Sequence, residues 1–527
     1  MSSIELQPIV LNENEKKITG ILREYAGYYN DKIAEPQEKP PIVLRITGGW
    51  VRDKLLGKES HDIDIGIDHL SGLDFVTGLQ EYLDSPSSLS GIHKIKKNPE
   101  KSKHLETCTT RLLGNDIDFV NLRNEQYAED SRIPSIKTGT PEEDAFRRDA
   151  TLNSLFFNLS TMKVEDLTGK GLDDLRNGIL RTPLDPIKTF IDDPLRCLRL
   201  IRFASNFGFI IDPEASKAMK LDSIRTSLDQ KISRERIGTE FRKTILGGDA
   251  VYGLKLMRDV GFIDIFGFGE KERGEEKVIK GADNVSDAVL KRLSTDGVSK
   301  SLDDVVEKLP LIEEQNGGFN RLQELIKQVK SGSDITRLAF YCSLILNRWN
   351  DVKVEIGKDA KKTGKKKKVK TVGAAYLVIL QGLKMPIKLA ELSDQIVSNM
   401  QRFSDDFGHF KEMKRSQLAL KMLIPYGENW RLNLLVYYML RNFKEMDKIK
   451  ENSVQIEELL ELVDNQGLEN IYKEPVKVNG RELIALTGKK PGPWLKEINE
   501  KLFKYQLDHP DCTKDEMLKE VVQKYYN

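Results

Sequence analysis

The sequence has 527 residues, of which 31% are charged, yet its formal net charge is only +1. That length accommodates several domains with their own cores, and a nucleic-acid-binding surface must come from segregated charge rather than overall basicity. The four cysteines and six histidines are scattered, which argues against structural zinc and favours a reducing compartment. No apolar run approaches the ~20 residues of a membrane span, so we expect an intracellular protein without a membrane segment.

In chain order, a helix is predicted from Glu15 to Tyr29, followed by a proline-rich linker that ends near residue 41. A mixed α/β head follows, because β-like and helical runs alternate up to residue 165. From residue 166 the pattern is almost wholly helical, so we predict an α+β protein. The predicted strands are 42–46, 61–67, 92–96, 104–112, 116–122 and 163–166, and the predicted helices of the head are Leu73–Leu83 and Glu142–Phe157.

A Gly-Gly pair, Gly48 and Gly49, links the first predicted strand to an amphipathic segment that begins at Trp50. Glycine lets the backbone approach a polyanion and donate N–H groups to it, with Arg52 as a nearby counter-charge. A simple turn would also explain the glycines by themselves.

A pair of carboxylates marks the second predicted strand. Because side chains alternate along a strand, Asp62 and Asp64 share one face while Ile63 and Ile65 take the other. Two carboxylates on one face repel each other unless a cation lies between them, and hard oxygen ligands suit Mg²⁺. An Asp-x-Asp can also be a solvated strand end, but together with the glycines it indicates a nucleoside-triphosphate site with a metal pair.

The order Gly-Gly-x-Val-Arg-Asp and then Asp-x-Asp resembles the class II branch of the polymerase β-like nucleotidyltransferase superfamily. This branch contains CCA-adding tRNA nucleotidyltransferases and bacterial-type poly(A) polymerases. The resemblance implies that Asp62 and Asp64 are catalytic and hold Mg²⁺. It also implies a third carboxylate on a neighbouring strand, for which Asp118 is our choice and Asp116 the alternative.

Residues 84–103 are rich in serine, glycine and lysine. This composition predicts a mobile basic loop, although an inert hairpin explains it equally well. In the resembled family, a flexible loop at the corresponding place is needed to switch from adding C to adding A.

The segment 145–154 has a helical composition, which would place Asp149 and Asn153 on one face. Its adjacent arginines, Arg147 and Arg148, either clamp phosphates or form a surface salt-bridge cluster with the acids at 142–144. The string resembles the Arg-Arg-Asp-x-x-x-Asn motif of class II enzymes, which implies contacts with the triphosphate and the ribose.

A later helix has a regular polar face, on which Asp193, Arg196 and Arg199 follow at three-residue spacing. We expect Asp193 to be its N-cap and Pro194 its first residue. A carboxylate beside a guanidinium accepts from an exocyclic amine and donates to a ring nitrogen, which matches cytosine and adenine and rejects guanine and uracil. With Asp192, these residues resemble the family's Glu/Asp-Asp-x-x-Arg motif, so the protein itself would act as the template.

Two pairs of basic residues are candidates for RNA binding. Arg234 and Arg236, on a helix that Ser233 is expected to cap, either hold neighbouring elements together or touch RNA phosphate. Lys489 and Lys490 lie in a turn that opens a helix, which suits a backbone phosphate but needs no ligand. That turn resembles the tail motif of CCA-adding enzymes, which contacts the tRNA elbow. The basic run 358–370 fits a disordered loop, an RNA contact or a nuclear-import signal.

The resemblance implies a polymerase β-like head at 1–165, a helical neck with the nucleotide template at 166–270, a helical body at 271–430 and a tRNA-binding tail at 431–527. It further implies a monomeric enzyme of the eukaryotic, fungal type that adds C, C and A from CTP and ATP to tRNA 3′ ends. The alternatives are a poly(A) polymerase of the same superfamily and a non-catalytic RNA-binding relative. We expect a cytoplasmic and nuclear protein, with a mitochondrial form as a further possibility.

Overall fold

The computed structural model describes residues 3–33, 41–60, 62–83, 89–95, 107–126, 135–266, 296–357 and 369–523. The chain divides into two compact units, Met1–Ile265 with Gly269–Gly274, and Phe266–Phe268 with Glu275–Asn527. The predicted domain boundaries at residues 165, 270 and 430 stay predictions. None of the described helices is long and apolar enough to cross a membrane.

A seven-stranded mixed sheet forms the centre of the first unit. The strands of this unit are β1 (Leu44–Thr47), β2 (Ile63–Ile67), β3 (Leu89–Ile95), β4 (Thr107–Leu112), β5 (Asn115–Asn121), β6 (Arg123–Gln126), β7 (Ser135–Thr138), β8 (Leu155–Asn158), β9 (Lys163–Asp166), β10 (Ile179–Leu180) and β11 (Ile210–Ile211). The order in the large sheet is β3-β4-β5-β2-β1-β8-β9, with β6–β7 and β10–β11 as separate pairs. Strands β2 and β5 run parallel, and this pair lies at the centre of the sheet.

The predicted strands of the head are confirmed to within a few residues. The predicted basic loop at 84–103 contains β3, which pairs antiparallel with β4. Part of that loop is therefore an outer strand of the sheet, and residues 84–88 and 96–103 lie outside the described residues.

Helices cover the sheet and continue beyond it to the end of the first unit. They are α1 (Glu13–Tyr28), α2 (Gly49–Leu55), α3 (Gly72–Leu83), α4 (Pro141–Phe146), α5 (Gly171–Asn177), α6 (Pro186–Asp192), α7 (Leu195–Phe207), α8 (Pro213–Met219), α9 (Asp222–Lys231), α10 (Arg234–Ile245) and α11 (Ala250–Asp259). The predicted helices at Glu15–Tyr29 and Leu73–Leu83 are confirmed as α1 and α3.

The predicted helix at Glu142–Phe157 is wrong. Helix α4 ends at Phe146, a 3-10 turn covers Thr151–Asn153, and β8 follows. Strand β8 pairs with β1 on one side and β9 on the other, and all four of its residues are buried. Sheet pairing on both sides therefore overrides the local helical preference.

Helix α1 is fixed to α2 by a buried ion pair. The Trp50 indole N–H donates to Glu15 at 3.1 Å, and Lys54 lies 3.0 Å from the same carboxylate, with both charged side chains 5% exposed. Removing one partner of a buried pair leaves the other uncompensated, which generally costs about 3–5 kcal/mol. Here Lys54 keeps a second partner, Glu59, at 3.0 Å.

We therefore expect Glu15→Ala to lower the free energy of unfolding by about 2–3 kcal/mol in urea titrations. The matched control is Glu13→Ala, which removes an exposed pair with Lys16 and is expected to change stability by less than about 0.5 kcal/mol. Equal effects of the two substitutions on the free energy of unfolding would contradict a stabilising role of the buried Glu15–Lys54 pair.

Among the described residues of the second unit, the structure is helical apart from one hairpin, β12 (Lys353–Gly357) with β13 (Val369–Gly373). Its last part has a small core of its own around Val478, Leu483, Ile498 and Leu502. The basic run at 358–370 reaches into β13, and residues 358–368 lie outside the described residues. The helices of this unit are Asp296–Asp303, Leu309–Glu314, Asn320–Lys330, Asp334–Leu346, Ala374–Leu377, Ile387–Phe407, Arg415–Leu418, Trp430–Lys444, Ile449–Asn465, Gly480–Thr487, Trp494–Asp508 and Lys514–Met517.

Candidate active site

The sheet register brings the predicted carboxylates together. Asp64 on β2 is the register partner of Asp118 on the parallel strand β5, so both side chains leave the same face of the sheet. Asp62 directly precedes β2 and is exposed, while Ile63 and Ile65 are buried on the opposite face, as the alternation predicts.

The electrostatics of Asp64 show that these carboxylates interact. Burial first, and then the charge of Asp118, raise the pKa of Asp64 to about 6, although Arg148 opposes the shift. Asp118 also accepts a hydrogen bond from the Thr109 hydroxyl at 2.5 Å. Asp116, the alternative third carboxylate, instead pairs with Arg111 at 3.1 Å, where both side chains are more than half exposed. The structure thus favours Asp118 over Asp116.

The carboxylates fit an open cation site rather than a closed one. Within the described ranges, no three His, Cys, Asp or Glu side chains form a cluster that could enclose a metal ion. Burial and the neighbouring charge of Asp118 nevertheless raise the pKa of Asp64, and a divalent cation between the two carboxylates would relieve their repulsion. A cation that takes its other ligands from water and phosphate suits such a site.

The two glycines lie between β1 and α2, next to this face. Gly48 has φ +78°, a backbone conformation that favours glycine, and a Cβ added there would lie 3.3 Å from Nη1 of Arg148. A side chain at Gly48 would therefore crowd the guanidinium. Arg52 is buried: it donates to Asn153 Oδ1 at 2.5 Å and its guanidinium carbon lies 4.6 Å from the ring centre of Phe207 on α7.

Asp144 orients both adjacent arginines. Arg147 donates to its Oδ1 from Nε at 2.8 Å, and Arg148 donates to its Oδ2 from Nη2 at 2.7 Å. Burial alone would raise the pKa of Asp144, but Arg148 and Arg147 outweigh it and hold that pKa below its usual value. Arg148 further donates to the Thr47 hydroxyl and to the carbonyl of Asn153. Of the acids in the surface salt-bridge cluster weighed from the sequence, Asp144 pairs with both arginines, and it is buried rather than at the surface.

Asp149 and Asn153 meet although the segment between them is not a helix. Asn153 donates to Asp149 Oδ1 at 3.0 Å, and Arg199 of α7 donates to Oδ2 at 2.6 Å. Burial would raise the pKa of Asp149, but Arg199, followed by the Asn153 hydrogen bond, lowers it strongly. Asp149 therefore joins this segment to α7 as an ionised carboxylate.

The start of α7 differs by one residue from the prediction. The helix begins at Leu195 with Pro194 in the capping position, so Asp193 is not the N-cap, although its carboxylate accepts from the Leu195 amide at 3.2 Å. Proline has no N–H, and the carboxylate therefore turns to the next amide. Asp193 also lies 3.5 Å from Arg236 of α10, while Arg196 lies 3.8 Å from Glu125.

These side chains line one cleft of about 540 Å³. Its lining includes seven arginines and four acids, and an excess of positive charge of this kind suits a polyanion. Asp64 lies in this lining, and so do the three polar residues of the α7 face. The charged residues of the cleft are Arg52, Arg123, Arg147, Arg148, Arg196, Arg199, Arg236, Asp64, Glu125, Asp149 and Asp193.

Comparison with known proteins decides the family. The family model described as "Poly A polymerase head domain" matches residues 44–181, and that described as "Probable RNA and SrmB- binding site of polymerase A" matches residues 208–266. The mitochondrial CCA tRNA nucleotidyltransferase of Saccharomyces cerevisiae is 36% identical, over 98% of this chain and 94% of the yeast protein. The chain belongs to the CCA tRNA nucleotidyltransferase family.

A second relative supports the same assignment for this nucleotidyltransferase. The tRNA nucleotidyltransferase cca1 of Schizosaccharomyces pombe is 33% identical, over 98% of this chain and 97% of its own length. Enzymes of this family generally use a divalent metal, in agreement with the carboxylates on the sheet.

Solved structures share the fold of this nucleotidyltransferase. The structure of a CCA-adding enzyme in apo form II has a TM-score of 0.60 at 19% identity, covering 98% of this chain and 96% of that chain. The Thermotoga maritima CCA-adding enzyme complexed with tRNA has a TM-score of 0.58 at 17% identity, covering 98% and 96%. A mixed-sheet head followed by helices is therefore an architecture that this nucleotidyltransferase shares with them.

Two charged residues of this nucleotidyltransferase's cleft were not predicted from the sequence. Arg123 and Glu125 come from β6, whose Arg-Asn-Glu-Gln sequence is polar throughout and gives no sign of a strand or a site. Burial, and then the charge of Arg147, lower the pKa of Arg123 to about 10. Pairing with β7 brings this short strand to the cleft, and sequence spacing does not show that contact.

The predicted RNA-binding residues fall in three different settings. Arg234 is buried and donates to the carbonyl of Ile265 at 2.5 Å, so it stabilises the helical part of the first unit and we do not retain it as an RNA contact. Arg236 lines the cleft beside Asp193. Ser233 occupies the N-cap position as predicted, but without a capping hydrogen bond from its side chain. Lys489 and Lys490 are exposed in the second unit.

Proposed function

We propose that the cleft is the nucleotidyl-transfer site for CCA addition to tRNA. The observation that carries this proposal is a single cavity lined by Asp64, by Asp193 and by seven arginines, one of which is Arg196. A nucleoside triphosphate has the same arrangement, because its phosphates must meet cations and metal while its base must meet hydrogen-bonding groups.

In the proposed reaction the tRNA 3′-hydroxyl attacks the α-phosphorus of CTP or ATP, and pyrophosphate leaves. Asp62 and Asp64 are the residues that would hold Mg²⁺, with Asp118 as the third carboxylate beside Asp64. When bound, Mg²⁺ lowers the pKa of the attacking hydroxyl and neutralises charge on the triphosphate. Arg147 and Arg148, already oriented by Asp144, would neutralise the phosphate oxygens.

The base is proposed to be selected by the protein. Asp193 would accept from the exocyclic amine of cytosine or adenine, and Arg196 would donate to the adjacent ring nitrogen. Two further arginines line the same cleft: Arg199, which donates to Asp149, and Arg52, which donates to Asn153. Guanine and uracil leave these groups mispaired, which costs about 1–3 kcal/mol for each buried group.

A direct test supplies purified protein and Mg²⁺ with a tRNA that lacks CCA, together with CTP and ATP. An extension of three nucleotides, resolved on a denaturing gel, is expected. A long ladder of added A would instead indicate the alternative, a poly(A) polymerase. This alternative is relevant because the matched head domain is named after poly(A) polymerase. If folded wild-type protein does not extend the tRNA at all, the proposal is contradicted, and the remaining alternative is a non-catalytic RNA-binding relative.

The tRNA body is proposed to be bound by shape and phosphate contacts, including those of Lys489 and Lys490. Replacing both with glutamine is expected to weaken tRNA binding and to flatten the slope of log Kd against log salt by about 1–2, because each lysine lost removes one released counterion. The control is Lys496→Gln, because the Lys496 side chain lies on the following helix and is 86% exposed. An unchanged slope in filter-binding titrations would show that this turn does not contact the tRNA.

We further propose that the enzyme acts as a monomer in the cytoplasm, nucleus and mitochondria. The cleft is built from residues of the first unit alone, which suits a monomer, and a relative from Candida glabrata is named as mitochondrial. Sedimentation tests the first point and fractionation of cells expressing a tagged chain tests the second.

A further inference from the structure

Glu125 is an acid in a cleft proposed to bind a polyanion, and its neighbours suggest what it does. Its side chain is 7% exposed, with Oε1 3.1 Å from Nη1 of Arg147 and Oε2 3.8 Å from Nη2 of Arg196. Arg123 of the same strand approaches Oε1 at 4.0 Å. One carboxylate thus lies between an arginine proposed for phosphate binding and an arginine proposed for base selection.

Glu125 contacts the two arginines in different ways. At Arg147 it accepts a hydrogen bond at 3.1 Å, and Asp144 also holds that side chain, through Nε at 2.8 Å and Nη2 at 2.5 Å. The phosphate side of the cleft therefore keeps a carboxylate partner when Glu125 changes. At Arg196 it forms an ion pair at 3.8 Å with the outer end of a long side chain, whose planar guanidinium has several donors that point in different directions.

The orientation of Arg196 decides which bases it accepts. A guanidinium held toward the ring nitrogen donates to N3 of cytosine or N1 of adenine, whereas one that is able to turn can also donate to O4 of uracil or O6 of guanine. Restricting its orientation therefore excludes two of the four nucleotides.

We propose that Glu125 is a positioning residue for base selection, which holds the Arg196 guanidinium in the orientation that reads cytosine and adenine. The proposal rests on the proposed function of the cleft. It assigns a specificity role to the β6–β7 hairpin, which lies outside the motifs recognised in the sequence.

The test is Glu125→Gln, which keeps the size of the side chain but removes its charge. Single-nucleotide addition is measured with each of CTP, ATP, GTP and UTP on tRNA substrates, with thermal unfolding in parallel. The ratio of kcat/KM for CTP to that for UTP is expected to fall about tenfold, because a less restricted Arg196 makes a weaker charge-assisted hydrogen bond to the ring nitrogen of cytosine. Asn124→Ala, on the same strand but bonded to Glu143, is the matched control and should leave the ratio unchanged.

A loss of rate that is equal for all four nucleotides, with the ratio unchanged, overturns the proposal, because it indicates only a phosphate or stability effect. If Glu125→Gln does not fold, Glu125→Asp decides: a ratio lowered about threefold supports the proposal and an unaltered ratio overturns it. Failure of the proposed function is distinguishable, since wild-type protein would then not add C, C and A at all.

Discussion

Replacing Asp64 with asparagine is expected to slow nucleotide addition at least about a thousandfold, since it removes a charge that would hold the metal and stabilise the transition state. The substitution keeps the side-chain shape in the register position beside Asp118. tRNA binding is expected to change less than about twofold, because phosphate contacts elsewhere dominate it. Single-turnover CTP addition and filter binding measure the two effects.

The matched control for Asp64→Asn is Asp116→Asn. Asp116 lies on β5 as Asp118 does, but it pairs with Arg111 at the exposed surface. We expect the rate of nucleotide addition by Asp116→Asn to stay within about twofold of wild type, because exposed ion pairs contribute little to stability. Retained turnover in the Asp64 variant, or an equal loss in the Asp116 variant, would contradict the assignment of the carboxylates.

Asp64→Asn is also expected to stabilise the metal-free protein. The folded-state pKa of Asp64 is raised from 3.8 to about 6, so the folded protein prefers the protonated carboxyl and loses stability as pH rises through about 6. Above that pH, Asp64→Asn should raise the free energy of unfolding by about 1–3 kcal/mol, and at pH 4 by much less. Urea titrations in EDTA at pH 4.0 and 7.5 measure the difference, and a variant that is less stable at pH 7.5 contradicts it.

Replacing Asp193 with alanine is expected to lower the preference for CTP and ATP over UTP and GTP by about 10–100-fold, because the acceptor for the exocyclic amine is lost. The readout is the ratio of kcat/KM values for the four nucleotides. Glu235→Gln is the control, since it removes an exposed acid of α10 beside Arg236 but outside the cleft. Unchanged selectivity in the Asp193 variant would place base selection elsewhere.

Much of the site could be predicted because its residues lie in short stretches with clear local rules. The alternation of β2 predicts the common face of Asp62 and Asp64, and the positive φ of Gly48 gives a physical reason for glycine there. The three-residue spacing of Asp193, Arg196 and Arg199 likewise predicts that they reach one cleft, although Asp193 precedes α7.

The remaining features depend on contacts between distant parts of the chain. The predicted helix at Glu142–Phe157 runs into residues 155–158, which instead pair with β1 and β9 in the sheet. Glu125 reaches the cleft through a hairpin that no sequence pattern announces. Arg234 and Arg236 are two residues apart on one helix, yet Arg234 is buried against Ile265 and Arg236 faces Asp193. Charge alone does not distinguish a residue that supports the fold from one that lines the cleft.

The most direct test of the central claim is a crystal structure of the protein with CTP and Mg²⁺ in the absence of tRNA, where CTP is not consumed. We predict triphosphate density at Gly49 and Arg148, with the cytosine amine within about 3.2 Å of an Asp193 carboxylate oxygen. The Arg196 guanidinium should lie at a similar distance from N3. A nucleotide bound outside this cleft, or a cytosine in the cleft that contacts neither Asp193 nor Arg196, would contradict the account.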